Sequence, residues 1–217
     1  MNNQLTDLTL ILDRSGSMES VREALEESLG SLLLKQSQEP GKLLVSLVRF
    51  DDVVESVFVA IDAASVRPIK IHPRNSTALL DAIGSTIDAT GLRLAALPQI
   101  DRPACVIVVV ITDGMENSSK TFKWTDVQQR IRHQSDQYQW QFIFLGANID
   151  AIATAGQLGI NAGDALDVAS DDRGTTDAVE SLSKGVKRKR DHMLLAAEGA
   201  PPESFDATDR NQQRRKK

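Results

Sequence analysis

The run from Ala104 to Thr112 (ACVIVVVIT) is the most apolar stretch of the chain, and it constrains everything around it. A strand-length segment without a polar side has to lie in the middle of a sheet covered on both faces. Such sheets are mostly parallel, and parallel neighbours need crossovers, usually helical. The rest of the sequence supplies strands and helices in that alternation. Thr6 to Leu12 reads as another buried strand. From Ser20 or Val21 to about Gln36 (VREALEESLGSLLLKQ), apolar residues fall at 21, 24, 25, 29, 32 and 33, which is helical spacing. Glu39-Pro40-Gly41 stops that helix. Lys42 to Phe50 and Val53 to Ile61 are two strands with only Asp51-Asp52 between them, so they form an antiparallel hairpin, expected at the sheet edge.

A loop from Asp62 to Ser76, with Pro68 and Pro73, leads to Thr77, which opens a helix (ALLDAIGSTIDATGLRLAAL). Thr125-Asp126 is expected to cap a polar helix running to about Ser135. Trp140 to Leu145 is a further strand, Asp150 to Leu158 a short helix, Ala165 to Ala169 a short last strand, and Thr175 to about Ala197 the final helix. The pattern predicts an α/β fold: a doubly wound, Rossmann-like, mostly parallel sheet of about six strands with one antiparallel edge strand and helices on both faces. One domain is expected over 5–197. Residues 198–217, rich in Gly, Pro and charge, are expected to be a disordered basic tail.

Composition excludes some function classes. Of 217 residues, 41% are apolar and only 4% aromatic, so the core is aliphatic, and the net charge of −5 argues against a surface built for nucleic acid. The single cysteine, Cys105, lies within the apolar run and reads as a buried structural thiol. MNNQLTD has no basic segment followed by an apolar one, and no stretch reaches the roughly 18 to 20 apolar residues of a membrane span. A soluble, cytoplasmic protein is expected.

The chemistry gathers where LTLIL runs into Asp13-Arg14-Ser15-Gly16-Ser17-Met18. A carboxylate ends a strand and two hydroxyls follow at alternate positions, in the turn where an open α/β sheet presents its ligands. All three offer oxygen, the donor a hard divalent cation prefers. A second carboxylate, Asp113, ends the central strand, and Thr77 stands at the head of a helix. Asp13, Ser15 and Ser17 (DRSGSM), Thr77 (NSTALLDAI) and Asp113 (VVVITDGMEN) resemble the metal-ion-dependent adhesion site of von Willebrand factor A domains, over roughly residues 5 to 195. GANIDAIATAGQLGI also resembles small cytosolic bacterial or phage stand-alone members.

The resemblance implies that Ser15, Ser17 and Thr77 give hydroxyl oxygens to Mg²⁺ or Mn²⁺. Asp13 and Asp113 then act directly or through water while orienting the hydroxyls, and Gly16 allows a sharp turn beneath the ion. It further implies a partner Asp or Glu that completes the coordination, with ligation coupled to the last helix and Thr77 as the decisive ligand. The rim falls to Arg14, which is expected to steer acidic partners, and to Met18, Asn75, Ser76, Glu116 and Asn117. Of these, Glu116 and Asn117 read as helix-capping or rim residues rather than ligands. Relatives of this kind often serve beside AAA+ ATPases, kinases or stress-response assemblies.

These residues point to a non-catalytic, metal-dependent protein-binding adaptor. A metal-dependent phosphohydrolase is the alternative enzyme reading, but Ser15 stands where that chemistry usually places a second carboxylate. The sequence also has no GxxxxGK[ST] loop, no G-x-S-x-G elbow and no evident general base near the site. A third reading takes Lys184, Lys187, Arg188, Lys189 and Arg190, with Arg214 to Lys217, as a nucleic-acid contact, against a solvated helix face and charged tail. His72, His133 and His192 fit no zinc spacing and read as surface residues; Trp124 and Trp140 read as core or rim.

Overall fold

Side-chain parity along the central strand divides the molecule. In the computed structural model, which describes residues 1–195, 197 and 199–214, that strand is β4 (Pro103–Thr112). Cys105, Ile107, Val109 and Ile111 enter one core, while Val106, Val108 and Val110 enter the other. The same alternation places Leu8, Leu10 and Leu12 of β1 (Asn2–Asp13) on the first side and Ile11 on the second. A continuous apolar run is thus two period-two patterns laid over each other.

The chain continues through a 3-10 turn (Gly16–Val21), α1 (Arg22–Ser37), β2 (Lys42–Phe50), β3 (Val54–Asp62) and α2 (Leu79–Ala95) to β4. Then come α3 (Trp124–Tyr138), β5 (Gln141–Ala147), α4 (Ala151–Leu158), β6 (Ala165–Val168), α5 (Asp172–Leu194) and α6 (Ala207–Arg214). The six-stranded sheet has the order β3-β2-β1-β4-β5-β6. All neighbours are parallel except β3, antiparallel to β2 at the edge. Helices α1 and α5 cover the first core, and α2, α3 and α4 the second. The order reverses between β1 and β4, so the carboxyl ends of these two strands form the crevice where Asp13 and Asp113 emerge. The doubly wound sheet with one antiparallel edge is as the sequence implies. Among the described residues no helix is long and apolar enough to cross a membrane.

The C-terminal segment departs from expectation. Residues 199–214 are folded back rather than disordered. Phe205 is buried in the first core, its N–H bonded to the Gly163 carbonyl at 3.0 Å. Asp206 starts α6 by accepting the N–H groups of Thr208 and Asp209, while Asp209 accepts the Asp206 N–H. Gln213 then links the Ala169 N–H to the Gly174 carbonyl at the start of α5. A single aromatic anchor and a reciprocal cap outweigh the polar composition. Residues 215–217 of the expected basic tail lie outside the described residues.

The basic run is only in part a solvated face: Lys184 is exposed and Lys187 and Arg188 are half-buried. Lys189 and Arg190 are buried. Lys189 Nζ meets Asp164 at 2.8 Å and the Pro202 carbonyl at 3.0 Å. Arg190 donates to the carbonyls of Gln36, Pro40 and Gly41, tying α5 to the end of α1. Lys184 pairs with Glu180, and Lys187 with Glu39 and Asp191. Cys105 is buried as expected, which pushes its thiol pKa up to about 11. His72 and His133 are exposed, His192 is half-buried, and Trp140 and Trp124 pack on the second core.

Candidate metal centre

β1 ends in Asp13 and β4 ends one residue before Asp113, and the two strands are hydrogen-bonded neighbours. Asp13 Oδ1 accepts the Ser15 N–H at 2.6 Å, which folds the chain back so that Ser15 and Ser17 share one side. Their hydroxyl oxygens are 3.1 Å apart, and Ser17 Oγ donates to Asp113 Oδ1 at 2.6 Å. Behind them, Thr112 Oγ1 donates to Asp13 Oδ2 at 2.6 Å. The third hydroxyl arrives from across the sheet top. A Cβ placed on Gly114 would lie 3.3 Å from Thr77 Oγ1 and 4.0 Å from Ser17 Oγ, so the two hydroxyls flank the bare Gly114 backbone. Asp13, Ser15, Ser17, Thr77 and Asp113 therefore converge.

Thr77 is held there by a crossing of loops. The Arg74 N–H donates to the Arg14 carbonyl at 2.8 Å, the Gly16 N–H to the Asn75 carbonyl at 3.3 Å, and the Ala78 N–H to the Asp51 carbonyl at 2.7 Å. The strained residue at this crossing is Asn75, with φ 58°, a region asparagine tolerates. Gly16, expected to make the sharp turn, is not among the residues with positive φ.

The rim differs from expectation at two positions. Arg14 does not stand beside the cation site to steer partners; it is buried and ion-paired with Asp51 and Glu55. Met18 is buried in the first core. Arg14 leaves the turn toward β2 and β3, whereas Met18, within the 3-10 turn, points into the first core. Asn75 is exposed and donates to Asp52, Ser76 is half-buried, and Asn117 is exposed. Glu116 accepts the Leu80 N–H in the first turn of α2, the capping role its position implied. Sequence reading passed over Thr112, the one hydroxyl in the strand that carries Asp113, and Gly114, whose missing side chain admits Thr77. A polar residue ending an aliphatic run was the available signal for Thr112.

The electrostatics are those of a site short of positive charge. Burial pushes the Asp13 pKa from 3.8 up to about 6, despite the Thr112 hydroxyl and the Ser15 N–H, and the Asp113 charge adds to the rise. Asp113 is also raised, again chiefly by burial and against the Ser17 hydroxyl. No basic group is among the causes of either shift. Two buried carboxylates with no basic partner among the described residues, faced by three neutral oxygens, form a donor set that fits a hard divalent ion. Among the described residues no three His, Cys, Asp or Glu side chains cluster as a metal site, so any cation here depends on the hydroxyls. Of the five candidate ligands Asp13, Ser15, Thr77 and Asp113 are buried and Ser17 is exposed. A groove of about 500 Å³ between α1 and residues 63–70 shares no residue with the centre.

No protein-family model and no curated protein matches the sequence. Solved structures do match. Proximal thread matrix protein 1 from the mussel byssus, with a zinc-occupied MIDAS motif, aligns with a TM-score of 0.54 at 14% identity, over 91% of this chain and 47% of that one. The ArnB paralog VWA2 from Sulfolobus acidocaldarius gives 0.55 at 16% identity, over 84% and 45%. The fold is that of a von Willebrand factor A domain. Manganese-loaded TRAP from Plasmodium vivax shares this A-domain fold, with a TM-score of 0.52 at 16% identity, over 81% of this chain and 72% of that one. The chain spans about half the length of the first two structures.

Proposed function

We propose that this A-domain fold is a non-catalytic, metal-dependent protein-binding module. Mg²⁺ or Mn²⁺ would be held by the hydroxyls of Ser15, Ser17 and Thr77 together with Asp13 and Asp113. The observation that carries the reading is the pair of buried acids, with no basic partner among the described residues, facing three converging hydroxyls. Two carboxylates offset one divalent charge, so an outside acid can approach without net repulsion. When bound, the cation supplies Lewis acidity toward an Asp or Glu oxygen of a partner protein. The chain's own residues do the rest. Thr112 and the Ser15 N–H fix the Asp13 carboxylate, Asp113 orients Ser17, and Gly114 leaves room for Thr77. The manganese- and zinc-bearing neighbours of the same fold are consistent with such a centre.

Catalysis has less support. Ser15 takes the place of the second carboxylate that such chemistry usually needs. Nucleic-acid binding through α5 is disfavoured because Lys184, Lys187, Lys189 and Arg190 are already engaged. The partner is a protein presenting an acidic side chain; AAA+ ATPases, kinases and stress-response assemblies are the classes to examine first.

The test is affinity capture with the full chain in Mg²⁺ or in EDTA, with Asp13→Ala as control and circular dichroism to verify the fold. Expected is a partner retained in Mg²⁺ and released by EDTA, absent with Asp13→Ala. Partners that stay bound through chelation and through the substitution would overturn the proposal.

A further inference from the structure

Thr77 is the candidate ligand that belongs neither to β1 and the turn that follows it nor to the loop after β4, so something must hold it against them. It precedes α2, whose N-cap residue, Ala78, makes no side-chain cap. The missing acceptors come from the loop after Asp113. Asn117 Oδ1 accepts the Thr77 N–H at 2.9 Å, and the Thr77 carbonyl accepts the N–H groups of Asn117 at 3.0 Å and Ser118 at 3.3 Å. The peptide groups on both sides of Thr77 are therefore clamped. In the first turn of α2, Glu116 Oε2 accepts the Leu80 N–H at 2.9 Å, and Ser119 Oγ accepts the Asp81 N–H at 3.0 Å.

Glu116 is itself fixed by the N–H groups of Ser118 and Ser119 and by the Ser119 hydroxyl. Asp81 reciprocates by accepting the N–H groups of Lys120, Thr121 and Phe122. A helix start that would ordinarily be satisfied by its own N-cap is satisfied by a loop about 40 residues away in sequence, the separation at which Asn117 meets Thr77.

We infer that Glu116 and Asn117 are positioning residues of the metal centre, welding the Asp113 loop to the start of α2 so that Thr77 and Asp113 reach the cation as one body. The inference rests on reading this centre as a cation site. Neither residue needs to touch the ion. Asn117 fixes the backbone from which the Thr77 hydroxyl projects, and Glu116 fixes the helix turn behind it. Partners behind metal ligands often control affinity in this way.

The test uses Mn²⁺ alone as probe, titrated calorimetrically into the 217-residue chain, with the melting temperature in EDTA recorded for every variant. Asn117 is exposed, so its substitution leaves the core intact. Asn117→Ala is expected to weaken Mn²⁺ binding roughly tenfold or more, and Glu116→Gln to weaken it in the same direction. Asn117→Asp keeps the acceptor for Thr77 and is expected to bind close to wild type. In a Thr77→Ala background, Asn117→Ala should cost no further affinity, since the group it positions is gone. The inference is overturned if Asn117→Ala and Glu116→Gln bind Mn²⁺ as wild type does. It is equally overturned if the Asn117→Ala loss is undiminished in the Thr77→Ala background. Wild-type protein that fails to bind Mn²⁺ would instead remove the metal reading itself.

Discussion

Asp13 and Asp51 emerge side by side from the carboxyl ends of adjacent strands, since Asp13 is in register with Phe50, and both are fully buried. Their surroundings are opposite. Asp51 meets two guanidinium groups, Arg74 Nε at 2.6 Å and Arg14 Nε at 3.1 Å, and accepts the Val53 N–H. Burial alone would raise its pKa, but the Arg74 bond, the Val53 N–H and the Arg14 charge together lower it. Asp13 meets a hydroxyl and an amide, and the charge beside it is the negative one of Asp113, so burial prevails and its pKa rises to about 6. Two arginines neutralise one buried acid, and no basic group among the described residues serves its neighbour. The comparison teaches that burial alone does not mark a cation site. What marks it is burial combined with the absence of a built-in counter-charge.

The largest effect should come from breaking the compensated side. Asp51→Asn removes the buried acid that Arg14 and Arg74 share, although Arg14 keeps Glu55, and is expected to cost about 3 kcal/mol. The loss should be equal in EDTA and in Mg²⁺, as measured by urea unfolding. Asp13→Asn should act with the opposite sign. In EDTA at pH 7 it removes an uncompensated buried charge and is expected to stabilise the protein by up to about 2 kcal/mol. The amide can keep the Ser15 N–H bond, because the Thr112 hydroxyl can turn to the Gly114 carbonyl at 3.2 Å. Any stabilisation by Mg²⁺ should disappear with this substitution.

The two acids also predict opposite pH slopes in chelator. Asp13 has a raised native pKa, so its contribution is fully present below about pH 4 and is lost as pH rises through about 6. Asp51 has a lowered native pKa, so its contribution is present above the ordinary carboxylate range and is lost as pH falls through its native value. Urea unfolding as a function of pH should therefore lose the first slope with Asp13→Asn and the second with Asp51→Asn. The smallest effect is expected from Gly114→Ala. The added Cβ would press on Thr77 Oγ1 from 3.3 Å, weakening Mn²⁺ binding severalfold in calorimetry while the melting temperature in EDTA barely moves.

The sheet and its two helical layers were legible because they follow from local periodicity: the apolar run of β4 and the short link at Asp51-Asp52 leave few topologies. The approach of Thr77 and Asp113 was legible through resemblance, and the coordinates place them together. What escaped was long-range or one residue out of phase. Glu116 reads as a capping residue in the sequence, but no local pattern before Leu79 announces that the helix it caps is α2 or that Ser119 joins it. Arg14 and Met18 adjoin ligand-type residues, which suggests a rim, but Arg14 is drawn to Asp51 and Glu55 and Met18 is turned into the first core by the 3-10 turn. In the tail, composition hid Phe205 followed by Asp206 and Asp209, a hydrophobic anchor and a capping pair visible in the sequence itself.

The central claim is that the uncompensated acid pair receives a cation together with the three hydroxyls. A crystal soaked in Mn²⁺ and measured at the manganese absorption edge tests it most directly. The account predicts one anomalous peak bounded by Ser15, Ser17, Thr77 and Asp113, with a coordination position left to solvent or to a neighbouring carboxylate. No peak there, or an ion enclosed entirely by the chain's own side chains, would contradict it.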